Sequence, residues 1–381
     1  MYYLLTLDFP PPYNLGEKVL AGNIAKVLSD ISRNDFTVLC RMNRRIKYNS
    51  VFIQGSGNEY FDSVRIAMRL RKLCKNDSAI VHLIGISYSV AIPILRAFKH
   101  AGLKLVIYYY MLEHYYYLRG LRRLLKSYYA PKFCSRLADA VVATSPLIAE
   151  RLTMLGLNHV HYVPPPIDCE VFKPIDRFES LRRLSNRFSI DPRKLEGALV
   201  ILYMGHVTPM RFPYVTVLKV LRQVIRDGFS AQLLIFTPSF RYNEMHAVKI
   251  RSIAESIDLE KHVSIFVRNV DQSEKPFVYN LADLFLFPAL EPAAIDPPLT
   301  VLEAMACGKP VLASNVQSIP QIIKNGVNGF LVQSVNQLNE ILTKLRKSHH
   351  LDYIGGNARK TILRNFSFDK VRESFILLCQ L

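Results

Sequence analysis

Apolar residues fall along this chain in two patterns. Some form short unbroken runs, and others recur every three or four positions. The runs predict buried strands, and the periodic stretches predict helices with one apolar face. In the first half, strands are expected at Tyr2–Asp8, Phe36–Cys40, Ala79–Ile84, Lys104–Tyr109, Ala140–Thr144 and Val160–Val163. A helix begins at Glu17, where Leu20, Ile24, Val27, Leu28 and Ile31 make one stripe. The second half repeats the alternation, with strands at Leu199–Met204, Gln232–Phe236, Val263–Val267, Leu284–Phe287, Pro310–Ser314 and Phe330–Val332. Strands alternating with helices build a parallel, doubly wound sheet, and ligands of such sheets bind at the carboxyl ends of the strands. The loop from Pro10 to Gly16 therefore lies at a crevice.

The segment from Ala289 to Val332 carries the most chemistry. Asp296 is expected to cap a helix whose first residue is Pro297. Val301, Leu302 and Met305 give that helix an apolar face, and Gly308 ends it. Glu303 sits among these apolar residues, too far along to gain from the helix N-terminus, so its carboxylate needs a partner. The hydroxyls of a sugar or ribose suit it; an exposed or N–H-paired glutamate is the alternative. A second segment, L-Y-M-G-H-V-T-P-M-R-F (Leu202–Phe212), ends a buried strand on Gly205, where backbone can approach a ligand. His206 and Arg211 follow on the loop. A cation at such a place suits an anionic ligand, and arginine grips phosphate through two donors. The competing reading is a surface arginine beside a chance Gly-His pair.

The run L-E-A-M-A-C-G-K-P-V, followed by I-P-x-x-I and N-G-V-N-G-F-L-V, resembles the donor-binding segment of the family 4 retaining glycosyltransferases. The segment V-P-P-P-I-D-C-E-V-F-K-P (Val163–Pro174) is similar to that family's interdomain connection, and N-F-S-F-D-K-V to its closing helix. The resemblance implies an α/β protein of the GT-B fold, with two Rossmann-like doubly wound domains facing across a cleft. The acceptor would sit on domain 1–172 and the nucleotide sugar on domain 173–365. Residues 366–381 would form a helix packing back on the first domain.

The same resemblance implies roles for single residues. Glu303 would hold the ribose of a nucleotide-diphosphate sugar, the donor substrate. Gly205, His206 and Arg211 would line the diphosphate, with Arg211, Glu303 and His206 forming the catalytic set. Asp296, Leu299 and Thr300 complete the expected donor site, and Gly16 matches a glycine of the first loop. The sugar would be transferred to a hydroxyl with retention, by front-face attack in which the leaving phosphate helps take the acceptor proton. Neither a cofactor nor a metal is expected, since no D-x-D motif appears.

The chain departs from the family at three places. The glutamate usual eight residues before Glu303 is replaced by Ile295, with Asp296 beside it and two prolines after. Asp296 either stands in for that glutamate or only caps the helix. The arginine after the glycine is replaced by His206. The histidine usual after the strand Lys104–Tyr109 is missing, with Tyr110 or Met111 in its place; Glu113, His114 and His82 are the acceptor-side candidates. These losses also support an alternative, a catalytically degenerate accessory or binding subunit on the same scaffold.

Composition adds a partner class. At 381 residues and 50% apolar content, the chain fits two folded domains. Six cysteines without metal-ligand spacing signal neither a disulfide framework nor a zinc site. The first residues read as a strand and lack a signal peptide, which points to the cytoplasm. Ala79–Phe98 is nearly free of charge, but Gly85 and Pro93 divide it into a strand and a helix better than a membrane span. A net charge of +18 attracts phosphates or anionic lipid, while nothing resembles a nucleic-acid-binding module. Arg119, Arg122, Arg123, Lys126, Lys132 and Arg136 are interleaved with leucines and tyrosines. Such a helix can lie at the inner face of the membrane, which implies peripheral association and a lipid-linked acceptor. A helix whose leucines simply face the domain core is the other reading.

Overall fold

A computed structural model of the chain describes residues 1–7, 16–33, 35–41, 47–74, 78–85, 88–97, 103–111, 130–185, 187–292, 295–333, 337, 340–342 and 350–380. The chain divides into two units. One comprises Met1–Pro166, Ala294–Asp296 and Phe368–Leu381; the other comprises Ile167–Ala293 and Pro297–Ser367.

The first unit is a parallel sheet of β1 (Tyr2–Leu5), β2 (Phe36–Cys40), β3 (Asn49–Phe52), β4 (Ala79–Leu83), β5 (Leu103–Tyr109), β6 (Ala140–Ala143) and β7 (Val160–Tyr162). Their order is β3-β2-β1-β4-β5-β6-β7. Strand β3 escapes the sequence pattern because it is a half-exposed edge strand with no unbroken apolar run. The helices are α1 (Gly16–Ile31), α2 (Glu59–Leu73), α3 (Tyr88–Ala97), α4 (Ala130–Leu137), α5 (Pro146–Met154) and the closing α13 (Phe368–Leu378). Leu20, Ile24, Val27 and Leu28 of α1 are buried as the periodicity predicts, and Ile31 is half-buried. The uncharged stretch from Ala79 resolves into β4 and α3, and no described helix is long and apolar enough to cross a membrane.

His82 lies inside β4 and is fully buried. Its Nδ1 meets the Tyr108 hydroxyl at 2.6 Å, and Phe375 of α13 lies against its ring. Its place is the core of the unit, not a surface where an acceptor could reach it. Burial pushes this imidazole down to about 3. The unfolded chain takes up a proton near pH 6.5 that the folded chain refuses, so stability falls as pH drops below that point. Wild type should lose about 2 kcal/mol more than His82→Gln between pH 6.5 and 5, measured by urea unfolding. Parallel losses in the two proteins would refute this role for His82.

The second unit is a parallel sheet of β8 (Leu199–Met204), β9 (Ala231–Thr237), β10 (Val263–Val267), β11 (Leu284–Phe287), β12 (Val311–Ser314) and β13 (Phe330–Val332). The order β10-β9-β8-β11-β12-β13 repeats that of the first six strands of the other sheet. Its helices are α6 (Arg177–Leu184), α7 (Tyr214–Arg226), α8 (Arg241–Ser256), α9 (Lys275–Asn280), α10 (Leu299–Ala306), α11 (Ile319–Ile322) and α12 (His350–Asn365). The winding reverses between β8 and β11, and ligands of open parallel sheets bind outside the carboxyl ends of the strands at that point.

Two expected boundaries move. The second unit starts at Ile167 rather than 173. Pro164 to Pro166 have no N–H to give, and the first donor after them, that of Ile167, bonds the Phe366 carbonyl at 2.7 Å. The Arg359 guanidinium then holds the carbonyls of Cys169 and Phe172. Helix α10 starts at Leu299 with Pro298 at the N-cap, so Asp296 does not cap it. A residue before proline is pushed out of the helical region. Asp296 and Pro297 both precede prolines, which delays the helix until Leu299. Gly308 ends the helix as expected, with φ +71° in the left-handed region.

Candidate functional site

Strand β8 delivers Met204 and Gly205 to the switch point, and the loop that follows carries His206 and Arg211. A Cβ on Gly205 would stand 3.0 Å from the Tyr203 hydroxyl, so the tight exit of this strand favours glycine. The Tyr203 hydroxyl donates to the His206 carbonyl at 2.5 Å and pins the start of the loop. The loop after β11 lies alongside, joined by the Leu290 N–H donating to the Met210 carbonyl at 2.8 Å. This contact brings Glu291 to Arg211, with 3.2 Å between Oε1 and Nε and both side chains 18% exposed. Sequence reasoning missed Glu291. Its only signal was that it is one of two carboxylates between β11 and α10.

His206 packs against helix α8. Its Nδ1 lies 2.6 Å from the Tyr242 hydroxyl and 3.1 Å from Asn243 Nδ2, and the Phe240 ring flanks it at 5.8 Å. Burial holds this imidazole below its ordinary range, and the positive charge of Arg211 acts in the same direction. His206 is therefore neutral at pH 7 and does not replace the charge of an arginine.

Glu303 is 1% exposed in α10. Lys275 Nζ lies 3.2 and 3.3 Å from its two carboxylate oxygens, and the Tyr279 hydroxyl donates to Oε2 at 2.7 Å. The partner demanded by a buried carboxylate is thus supplied from within the protein. Lys275 and Tyr279 are four residues apart, so α9 presents both on one face. Burial and the Glu303 charge raise the Tyr279 phenol well above its ordinary value, which keeps it a donor. Neither α9 residue was singled out from sequence; a lysine and a tyrosine at helical spacing was the available signal.

The remaining candidates scatter. Leu299 and Thr300 open α10 in the same unit, and their N–H groups are the first in that helix, because the two residues before them are prolines. Asp296 groups with the first unit. Its carboxylate accepts from the Ser145 hydroxyl at 2.6 Å, and its carbonyl accepts from Thr144 at 2.6 Å. Gly16 is the first residue of α1, and a Cβ there would stand 2.9 Å from Ile295 Cγ1, a packing reason for glycine at this position. Glu113, His114, Arg119, Arg122, Arg123 and Lys126 lie outside the described residues. Lys132 is half-buried and Arg136 exposed on α4. Among the described residues, no cluster of three or more His, Cys, Asp or Glu side chains could hold a metal ion.

Two family profiles together match most of the chain. The family described as Glycosyl transferases group 1 matches residues 186–361, and Glycosyltransferase Family 4 matches residues 20–171. The chain belongs to the group 1, family 4 glycosyltransferases. The first match begins after the unit boundary found at Ile167, and the second ends a few residues beyond it. Among curated family relatives, a D-inositol 3-phosphate glycosyltransferase of Actinosynnema mirum is 28% identical over 63% of this chain and 56% of that protein. Spore coat protein SA of Bacillus subtilis is 24% identical over 48% of each chain. The chain thus spans about half the length of the curated relatives it matches. Among solved structures, the fold matches sucrose-phosphate synthase of Thermosynechococcus elongatus at TM-score 0.78 and 16% identity, covering 100% of this chain and 98% of that one. It matches Anabaena HepE in complex with UDP and glucose at TM-score 0.75 and 15% identity, covering 100% and 99%. Both units of this family member are Rossmann-like, which places it in the GT-B fold class.

Proposed function

We propose that this protein transfers a sugar from a nucleotide-diphosphate sugar to an acceptor hydroxyl with retention of configuration. The observation that carries the reading is Arg211, a cation held partly buried by Glu291 at the switch point of the second sheet. A developing diphosphate leaving group needs such a charge, fixed before the reaction begins. The bond from the anomeric carbon to the diphosphate breaks while the acceptor oxygen bonds that carbon on the same face. The acceptor proton passes to the leaving phosphate. Arg211 stabilises the phosphate charge, and Glu303 holds the ribose once α9 yields one of its bonds.

Thermal unfolding with UDP-glucose and other nucleotide sugars tests the reading. A donor at a hundred times its Kd should stabilise the protein by about 2.7 kcal/mol. UDP sugars come first because Anabaena HepE has been crystallised with UDP and UDP-glucose. Slow donor hydrolysis without acceptor is also expected. Binding without any turnover would favour the accessory-subunit alternative, and no stabilisation by any donor would overturn the reading.

The acceptor we propose is lipid-linked, at an anionic membrane surface. The basic and aromatic sequence from Arg119 to Arg136 supports this, at about 1 kcal/mol per basic residue near such a surface. Reversing the charges of Arg122, Arg123 and Lys126 together should release the protein from vesicles containing phosphatidylserine and leave donor binding unchanged. Sedimentation that shows no binding at low salt would leave these residues an ordinary surface element.

A further inference from the structure

His206 stands where the family pattern has an arginine, and the contacts around it determine which ring nitrogen carries the proton. Asn243 is fully buried on α8. Its Oδ1 accepts from the Val207 N–H at 3.2 Å, and its Nδ2 donates to the Pro238 carbonyl at 2.8 Å. These two bonds orient the amide, because turning it over would set an NH2 against an N–H and an oxygen against a carbonyl. The same Nδ2 faces His206 Nδ1 at 3.1 Å. An NH2 only donates, so Nδ1 must accept and hold no proton. The Tyr242 hydroxyl, 2.6 Å from Nδ1, can donate or accept and so does not choose between tautomers.

We propose that Asn243 is a positioning residue that holds His206 as the neutral tautomer protonated on Nε2, so that the loop after β8 offers a donor phosphate a neutral N–H beside the cation Arg211. The phosphate part rests on the function proposed above; the tautomer does not. The charged and titratable neighbours are Arg211 on the same loop, Glu291 paired with it, and Tyr242 on α8. Arg211 disfavours an imidazolium. Glu291 is engaged with Arg211, and the tyrosine is neutral in the physiological range. The amide could favour an imidazolium only by turning its oxygen toward Nδ1, which would break both of its backbone bonds. The arrangement keeps the charge of the phosphate site independent of an imidazole that an ordinary surface position would let titrate near neutral pH.

Nitrogen-15 NMR of the His206 ring in the full chain tests this, with His206→Gln used for assignment. Wild type should show a protonated Nε2 and an unprotonated Nδ1 at pH 7, with no titration near pH 6.5. Asn243→Asp places an acceptor against Nδ1, so it should move the proton there and shift the ring's titration upward by a unit or more. UDP added to wild type should shift the Nε2–H signal without changing the tautomer. A wild-type ring protonated on Nδ1, or one titrating near 6.5, overturns the proposal without reference to any variant. A folded Asn243→Asp protein whose His206 behaves as in wild type overturns the role of Asn243. If the tautomer is as stated but neither UDP nor UDP-glucose moves any signal in the protein, the donor site itself is wrong, and the phosphate part falls with it.

Discussion

Replacing Glu303 with alanine should destabilise the second unit by about 3–5 kcal/mol as well as abolish donor binding. The carboxylate is 1% exposed, and its removal strands Lys275, itself nearly buried, without a countercharge. The Tyr279 hydroxyl loses its acceptor in the same step. A buried ion pair costs much to break but little to replace whole, because apolar side chains of similar size recover the desolvation of both charges. The double variant Glu303→Leu with Lys275→Leu should therefore regain most of the stability while still failing to bind a nucleotide sugar. Urea unfolding reports the first effect and calorimetry with UDP-glucose the second. Donor affinity equal to wild type in the refolded double variant would remove Glu303 from the donor site and leave it a structural ion pair.

Arg211→Ala should lower turnover by about 100-fold or more, the usual cost of removing one preorganised group that stabilises transition-state charge. Arg211→Lys should lose less, since it keeps the charge and forfeits only the two-donor geometry. Glu291→Gln separates the site's charge from its packing. With the carboxylate gone, Arg211 no longer has that oxygen competing with phosphate, and UDP should bind several-fold tighter. Steady-state kinetics on the arginine variants and UDP calorimetry on Glu291→Gln decide the matter. Wild-type turnover in Arg211→Ala would place the phosphate cation elsewhere, and weaker UDP binding in Glu291→Gln would make Glu291 part of the donor site.

Much of the second unit was legible in the sequence. Strands β8, β10, β11 and β13 fall at the expected residues: β8 and β11 are unbroken apolar runs buried in a sheet covered on both faces, and the half-buried edge strands β10 and β13 are still mostly apolar. Gly205, Arg211 and Glu303 could be singled out because a strand end, a loop cation and a carboxylate in an apolar helix are local features. Strand β3 was not legible, since an edge strand need not be apolar. The start of α10 was misread for a local reason: two consecutive prolines outweigh a good capping residue before them.

The partners of the site residues were beyond the sequence. Glu303 demanded a partner, but its choice of Lys275 and Tyr279 depends on α9 and α10 packing side by side, 28 and 24 residues apart along the chain. Arg211 meets Glu291, and His206 meets Asn243, only because parallel pairing brings separate strand ends to one edge. Periodicity records which face of an element is buried, a property of neighbouring residues, and so the sequence determined most of the strands and most of the helices. Which buried donor meets which acceptor depends on distances across the sheet, so the ion pairs, the neutral state of His206 and the core position of His82 were decided by tertiary packing alone.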